Sequence, residues 1–152
     1  MVAPLLVFAI GNESRGDDAL APLLLRQLQS EHVSGQIEFI EDFQLQVEHV
    51  TDLQGRDAVL FIDADMSCTA PFQFSPISAA HDNSYTSHAM TPSALLHTYV
   101  QVYGTGAPPS FLLRIRGYGF ELGENLSTEA ASNLQQAAAR VRAWLADIPA
   151  TR

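Results

Sequence analysis

Short apolar runs that alternate with helix-patterned segments constrain this chain to an α/β architecture. Residues 5–10 and 58–62 are almost continuously apolar, as expected for strands buried on both faces of a sheet. Residues 36–41 and 111–115 are two further predicted strands, and residues 71–77 show a weaker strand pattern. Because helical segments separate most of these runs, the alternation predicts a three-layer α/β/α domain around a mainly parallel sheet.

Proline and small polar residues indicate where the helices begin. Pro22 is tolerated only in the first turn of a helix, where its missing N–H would have no partner. The helix that contains it is therefore expected to begin at about Asp17 or Asp18, with one of these aspartates as the N-cap. The pair Thr91-Pro92 predicts another helix start. Ser127 is expected to open the last helix, which carries one apolar stripe.

The composition limits the chemistry that is open to the chain. Its 152 residues fit one domain spanning residues 1–152, and a net charge of −9 without a basic cluster argues against binding to nucleic acid. The absence of lysine excludes Schiff-base chemistry and a phosphate-binding P-loop. No apolar run is long enough to span a membrane, so a cytoplasmic protein is expected. The single Cys68 is expected to be a small packing residue.

Three acidic residues and one histidine fall where an α/β sheet would bring them to one edge. Asp17 and Asp18 follow the first strand after a glycine-flanked polar loop, Asp63 follows the third strand, and His88 comes just before the helix start at Thr91. Because the carboxyl ends of parallel strands face a shared crevice, these side chains are expected to meet there. Two carboxylates and an imidazole suit a divalent transition metal.

Each of these residues also has a purely structural interpretation. An aspartate at a helix start can simply cap the helix, so Asp18 is the preferred ligand and Asp17 is a cap or a supporting residue. Asp63 is preferred to Asp65, which stays an alternative two residues further on. The remaining histidines stand in contexts common for packing or surface residues: His32, His49, His81 and His97.

Signatures of several other α/β families are absent. The first loop has neither of the nucleotide-binding patterns G-x-G-x-x-G and G-x-x-x-x-G-K-[ST], and the chain lacks the hydrolase motifs G-x-S-x-G and H-E-x-x-H. A receiver domain of phosphorelay signalling also combines an acidic pair with a strand-terminal aspartate. Such a domain needs a lysine after its last strand, and this chain has none.

Four segments together resemble the [NiFe]-hydrogenase maturation endopeptidases. They are residues 11–18 (GNESRGDD), 62–64 (IDA), 87–96 (SHAMTPSALL) and 117–127 (GYGFELGENLS), which occur in the family's order over most of the chain. The first and third segments are most similar to the proteases that serve NAD-reducing, bidirectional hydrogenases. The resemblance implies a three-layer α/β/α fold around a five-stranded, largely parallel sheet with one antiparallel strand.

The same resemblance implies an activity. These proteases remove a short C-terminal extension from the hydrogenase large-subunit precursor after nickel has been inserted. Their metal-contacting positions correspond to Asp18, Asp63 and His88, and Asp17 or Asp18 would be the general base. The nickel would arrive with the precursor rather than as a permanent cofactor, and the protein is expected to act as a monomer.

Two other functions remain open at this point. A nickel-sensing chaperone could bind the precursor through the same three side chains without cleaving it. A metal-dependent hydrolase of small molecules would need a deep, enclosed pocket, whereas the family's function needs a shallow groove that admits a polypeptide. The chain departs from the family at residues 42–48 (DFQLQVE), where a glycine-rich stretch is common; Gln44 or Glu48 is a further candidate for contact with substrate.

Overall fold

Five strands of the described chain form one mixed sheet. The computed structural model describes residues 2–81 and 90–148. In chain order the strands are β1 (Leu5–Ile10), β2 (Ile37–Asp42), β3 (Ala58–Asp65), β4 (Phe72–Ile77) and β5 (Ser110–Arg116).

The order of the strands across the sheet is β2-β1-β3-β5-β4. β1 pairs in parallel with β2 and β3, β3 pairs in parallel with β5, and β4 runs antiparallel to β5 at the edge. This confirms the five-stranded sheet with one antiparallel strand. The four parallel strands end at one edge of the sheet, the carboxyl rim, at Ile10, Asp42, Asp65 and Arg116.

Helices cover both faces of the sheet, which confirms the three-layer architecture. α1 and α4 pack on one face, and α2 and α3 pack on the other. Across the ranges 2–81 and 90–148, no helix is both long and apolar enough to cross a membrane. The α-helices are α1 (Leu20–Glu31), α2 (Val50–Leu53), α3 (Pro92–Tyr103) and α4 (Thr128–Asp147), and short 3-10 turns precede two of them at Gly16–Ala19 and Val47–His49.

The two apolar layers follow from the alternation of side chains along the central strands. Leu60 and Ile62 of β3 pack with α1 and α4, whereas Val59 and Phe61 pack with α2 and α3. Because β3 is buried on both faces, its sequence has to be apolar at every position from residue 58 to 62. This continuous apolar run is the pattern that predicts the strand.

The expectation that Asp17 or Asp18 caps the first helix is wrong. A 3-10 turn at Gly16–Ala19 comes first, and α1 begins at Leu20. Neither aspartate caps a helix start, because both carboxylates accept hydrogen bonds from other parts of the chain. Pro22 is the third residue of α1, so it does lie in the first turn as predicted.

The other two helix starts are confirmed. The Thr91 side chain accepts a hydrogen bond from the N–H of Ala94, and Pro92 is the first residue of α3. The Ser127 side chain likewise accepts from the N–H of Ala130 at the start of α4. Both caps satisfy an N–H group that the first helical turn leaves without an intrahelical partner.

β3 extends three residues beyond the apolar run that predicts it. The backbone from Asp63 to Asp65 continues to pair with β5 in parallel register, although the side chains there are polar. Asp63 therefore lies within the strand rather than after it. The other four strands begin and end within one residue of their predicted bounds.

The fold predicts a large difference between two leucines of the chain. Leu60 is fully buried between β1 and β5, whereas Leu122 is 67% exposed. Leu60→Ala should lower the free energy of unfolding by about 2–5 kcal/mol, because it removes buried methyl groups and leaves a cavity. Leu122→Ala should change it by less than about 0.5 kcal/mol. Urea denaturation of both variants measures the difference, and equal losses would contradict the assignment of the core.

Candidate functional site

The carboxylates of Asp18 and Asp63 interact at the carboxyl rim. Asp63 of β3 pairs in register with Ile10, the last residue of β1, and with Arg114 of β5. Asp18 lies in the 3-10 turn that follows β1. The negative charge of Asp18 raises the pKa of Asp63, so the fold brings the two carboxylates close enough to repel each other.

Asp63 has the most perturbed acidity at this rim. Burial in the sheet raises the pKa of Asp63 to about 7, and the charges of Asp18 and Asp65 push in the same direction. A hydrogen bond from the N–H of Ala64 opposes the rise but does not cancel it. Asp63 therefore holds a proton below about pH 7 unless a positive charge is placed beside it.

Asp18 is fixed by its own loop. Its Oδ2 accepts a hydrogen bond of 2.7 Å from the N–H of Asn12. Burial raises the pKa of Asp18, against the opposing effects of this bond and of the Arg15 charge. The backbone at Gly11 lies so close to the 3-10 turn that a Cβ on Gly11 would collide with the carbonyl oxygen of Asp18. The glycine that directly follows β1 is thus required for the position of Asp18.

Together these two carboxylates form a pair that favours a cation. Each is partly buried, and ionising one makes ionisation of the other harder. A divalent ion between Asp18 and Asp63 would remove the repulsion and release the proton from Asp63. Oxygen donors of this kind, with an imidazole as a third ligand, suit a borderline divalent metal such as nickel.

His88, the proposed third ligand, lies outside the described residues. The described chain resumes at Met90, whose N–H donates to the carbonyl oxygen of Leu45, close to the end of β2. α3 begins two residues later. Among residues 2–81 and 90–148, no group of three or more His, Cys, Asp or Glu side chains is arranged to hold a metal. The ligand set of Asp18, Asp63 and His88 therefore stays a prediction.

Asp17 points away from its neighbour Asp18 into the protein. Its carboxylate is fully buried and accepts hydrogen bonds from the N–H groups of Tyr118, Gly119 and Ser127 and from the Ser127 hydroxyl. Burial alone would raise the pKa of Asp17, but these four hydrogen bonds outweigh it and hold the pKa below its usual range. With both oxygens occupied, Asp17 is poorly suited to accept a proton from water, and its geometry favours the supporting role.

The alternative candidate, Asp65, is engaged in fixing the loop after β3. It accepts hydrogen bonds from the N–H and hydroxyl of Ser67, and it forms a 3.2 Å ion pair with Arg114. Burial would raise the pKa of Asp65, but these partners hold it below its usual value. Arg114 is also held by Gln73. In the same loop Cys68 is buried, as expected for a packing residue, and this burial raises the pKa of its thiol.

The four other histidines have packing or hydrogen-bonding partners of their own. The Nδ1 of His32 lies 3.0 Å from the carbonyl oxygen of Leu28 in α1. His49 contacts the carboxylate of Asp42 through Nε2 at 3.2 Å. The rings of His81 and His97 pack edge to face, with centroids 5.2 Å apart. None of these arrangements includes Asp18 or Asp63.

A sizeable cavity lies at the opposite end of the sheet from the candidate site. Its volume is about 500 Å³, and apolar side chains dominate its lining, including Leu5, Ile37, Phe111 and Trp144. It is formed where the parallel strands begin, and none of the candidate ligands lines it. The cavity is therefore separate from the chemistry at the carboxyl rim.

Sequence reasoning missed two partners that shape this rim. Arg114, which neutralises Asp65, lies at a polar position within β5, where alternation between Leu113 and Ile115 already places it on the side of Asp63. The contact between Asp17 and Ser127 joins residues 110 positions apart. No local sequence pattern predicts a contact over that distance, although both residues belong to segments with recognisable motifs.

Comparison with known proteins shows that the fold is that of hydrogenase maturation proteases. No protein-family model and no curated protein matches the chain. Its structure is similar to the [NiFe] hydrogenase maturation protease HycI from Thermococcus kodakarensis KOD1, with a TM-score of 0.74 and 17% identity over 95% of this chain and 94% of that chain. It is also similar to the hydrogenase maturating endopeptidase HybD from E. coli, with a TM-score of 0.76 and 18% identity over 98% and 94% of the two chains.

The pKa of Asp63 predicts how stability depends on pH. The folded protein binds a proton at Asp63 up to about pH 7, whereas the unfolded chain releases it near the ordinary aspartate pKa of 3.8, so stability should fall as the pH rises between these values. Asp63→Asn removes the ionisation and should be more stable than the wild type at pH 8, since each pKa unit corresponds to about 1.4 kcal/mol.

Urea denaturation in the presence of a chelator, at pH 4 and at pH 8, measures this effect. The stability difference between Asp63→Asn and wild type should increase in favour of the variant by roughly 1–4 kcal/mol from the lower to the higher pH. Asp147→Asn, at the far end of α4, is the control and should follow the wild type. A difference that does not change with pH would contradict the raised pKa.

Proposed function

We propose that this protein is an endopeptidase that removes the C-terminal extension of a [NiFe]-hydrogenase large-subunit precursor after nickel insertion, and that it recognises the inserted nickel. The observation that carries the proposal is the pair of interacting carboxylates, Asp18 and Asp63, at the carboxyl rim. The pair occurs in a fold similar to solved maturation proteases. The motifs at residues 11–18 and 87–96 favour a precursor of the NAD-reducing hydrogenases. The proposal also takes the protein to act in the cytoplasm as a monomer.

The nickel ion belongs to the substrate in this mechanism. A precursor that carries nickel brings a positive charge to the rim, which relieves the repulsion between Asp18 and Asp63 and completes a site with His88. A precursor without nickel offers no such compensation, and Asp63 keeps its proton. Recognition of the loaded precursor thus rests on two partly buried carboxylates that ionise together only beside a cation, and cleavage follows only where the metal docks.

Docking of the metal would bring the scissile peptide bond beside it. The nickel ion can polarise the peptide carbonyl or a water molecule as a Lewis acid. A carboxylate then takes a proton from the attacking water and returns it to the departing amine as the C–N bond breaks. Asp18 is the better candidate for this base of the two adjacent aspartates, because the oxygens of Asp17 are occupied by the loop after β5.

The direct test is cleavage of purified precursor by purified protein, followed by mass spectrometry. Nickel-loaded precursor should lose its C-terminal extension, and nickel-free precursor should stay intact. A chaperone that senses nickel would bind the loaded precursor without shortening it. That outcome would overturn the proposed hydrolysis while leaving recognition of nickel in place.

Single substitutions test the assignment of the ligands. Asp18→Ala, Asp63→Ala and His88→Ala should each lower the rate of processing at least 100-fold, because each removes one of the donors that hold the nickel. Two matched controls lie away from the rim. Asp147→Ala and His32→Ala should process the precursor within about twofold of the wild type.

Thermal unfolding of all five variants separates loss of function from loss of fold. The three site variants should retain a cooperative transition, since Asp18 and Asp63 repel each other in the folded state and neither belongs to the apolar core. Normal processing by the three site variants would contradict the ligand assignment. Equal losses in the site variants and in the controls would show that the assay reports stability rather than contact with nickel.

A further inference from the structure

Asp17 is the only acidic side chain that is buried in the described ranges 2–81 and 90–148, and it is 0% exposed. Its Oδ2 accepts from the N–H of Tyr118 at 2.7 Å, from the N–H of Gly119 at 3.2 Å and from the Ser127 hydroxyl at 2.8 Å. Its Oδ1 accepts from the N–H of Ser127 at 2.7 Å. These four hydrogen bonds compensate for the cost of burying the charged carboxylate, and they fix its orientation.

These four donors come from both ends of one loop. Tyr118 and Gly119 open the segment between β5 and α4, the 117–127 loop, and Ser127 closes it. A single carboxylate therefore holds the beginning and the end of the loop together. Ser127 also caps α4 through the N–H of Ala130, so the same contact orients the start of that helix.

The backbones of the two segments are also in close contact. The N–H of Asp17 donates to the carbonyl oxygen of Gly119 at 2.7 Å, and the N–H of Gly123 donates to the carbonyl oxygen of Ser14 at 2.7 Å. A Cβ on Gly16, which has a φ of 56°, would collide with the Gly119 carbonyl oxygen. Only glycine fits there without strain, and this close approach leaves the 3-10 turn little freedom.

This junction continues directly into the candidate site. Asp18 is the next residue of the same 3-10 turn, and its N–H donates to the carbonyl oxygen of Arg15. Its carboxylate is held from the other side by the N–H of Asn12. The position of Asp18 therefore depends on how the turn is held, and the Asp17 carboxylate contributes four of the hydrogen bonds that hold it.

We propose that Asp17 is a positioning residue of the active site: its carboxylate binds the 3-10 turn to the 117–127 loop and thereby keeps Asp18 in place at the carboxyl rim, without touching substrate. The inference rests on the proposed function, because it gives the adjacent aspartates separate tasks in the same reaction. Asp18 contacts the nickel of the precursor, and Asp17 holds Asp18 in place. Loss of the Asp17 carboxylate then changes the geometry of the site before it unfolds the protein.

Asp17→Asn is the sharpest substitution, because it keeps the size of the side chain and replaces one accepting oxygen by an NH₂ group. Three N–H groups and a hydroxyl then face a side chain that has one acceptor fewer. We expect kcat/KM for the nickel-loaded precursor to fall at least tenfold. Hydrogen exchange at the Asn12 N–H, which reports the contact with Asp18, should become at least tenfold faster.

Val141→Ala is the control for a loss of stability that does not act through the site. It creates a cavity beneath the fully buried Val141 of α4, far along the helix that Ser127 caps. This control should lower the Tm while leaving kcat/KM within about twofold of the wild type. If Asp17→Asn does not fold, Ser127→Ala removes one donor to Asp17 and should lower kcat/KM severalfold. Ser127→Thr keeps a hydroxyl and should restore it.

Three results decide between the outcomes. The proposal is overturned if Asp17→Asn, compared with Val141→Ala at a similar Tm, shows no additional loss of kcat/KM and no additional exchange at Asn12. It is also overturned if Ser127→Ala and Ser127→Thr have equal activity. If the wild-type protein does not cut the precursor at all, the proposed function fails; hydrogen exchange at Asn12 then still decides whether Asp17 positions Asp18.

Discussion

Partial burial of two interacting carboxylates at the end of a parallel strand pair is the constraint on which the proposed chemistry depends. β1 and β3 are neighbours in register, so the turn after β1 delivers Asp18 beside Asp63. Burial raises the pKa of both groups, and for Asp63 the charge of Asp18 adds to the effect. Ionisation of one carboxylate therefore opposes ionisation of the other. A cation placed beside them would relieve this repulsion, and in the proposed function a nickel-loaded precursor supplies it.

The apolar layers and the helix caps can be predicted because local sequence determines them. The apolar run at residues 58–62 identifies β3, and the chemistry of N-caps identifies Thr91 and Ser127. The extension of β3 through Asp65 cannot be predicted in this way, because polar side chains interrupt the pattern while backbone pairing with β5 continues. Hydropathy reports which side chains are buried, and it does not report where a ladder of backbone hydrogen bonds ends.

The acidic pair shows the same limit at the candidate site. The sequence marks Asp17 and Asp18 as two adjacent carboxylates and predicts that one of them caps α1. In the structure the two aspartates have different roles. Asp17 accepts hydrogen bonds from Tyr118 and Ser127, more than 100 residues away along the chain, and Asp18 lies at the rim. Contacts that distant depend on the complete topology. The sequence predicts that Asp18 is the better ligand of the two. It does not predict the structural reason, which is that Asp17 is occupied by hydrogen bonds.

The central claim is that Asp18 and Asp63 bind the nickel of the precursor. Nickel X-ray absorption on the loaded precursor, frozen immediately after mixing with a stoichiometric amount of the protein, tests this claim most directly. We expect the nickel to gain oxygen or nitrogen ligands with the wild-type protein and to keep its original coordination with an Asp18→Asn, Asp63→Asn double variant. Identical nickel coordination with both proteins would contradict the account.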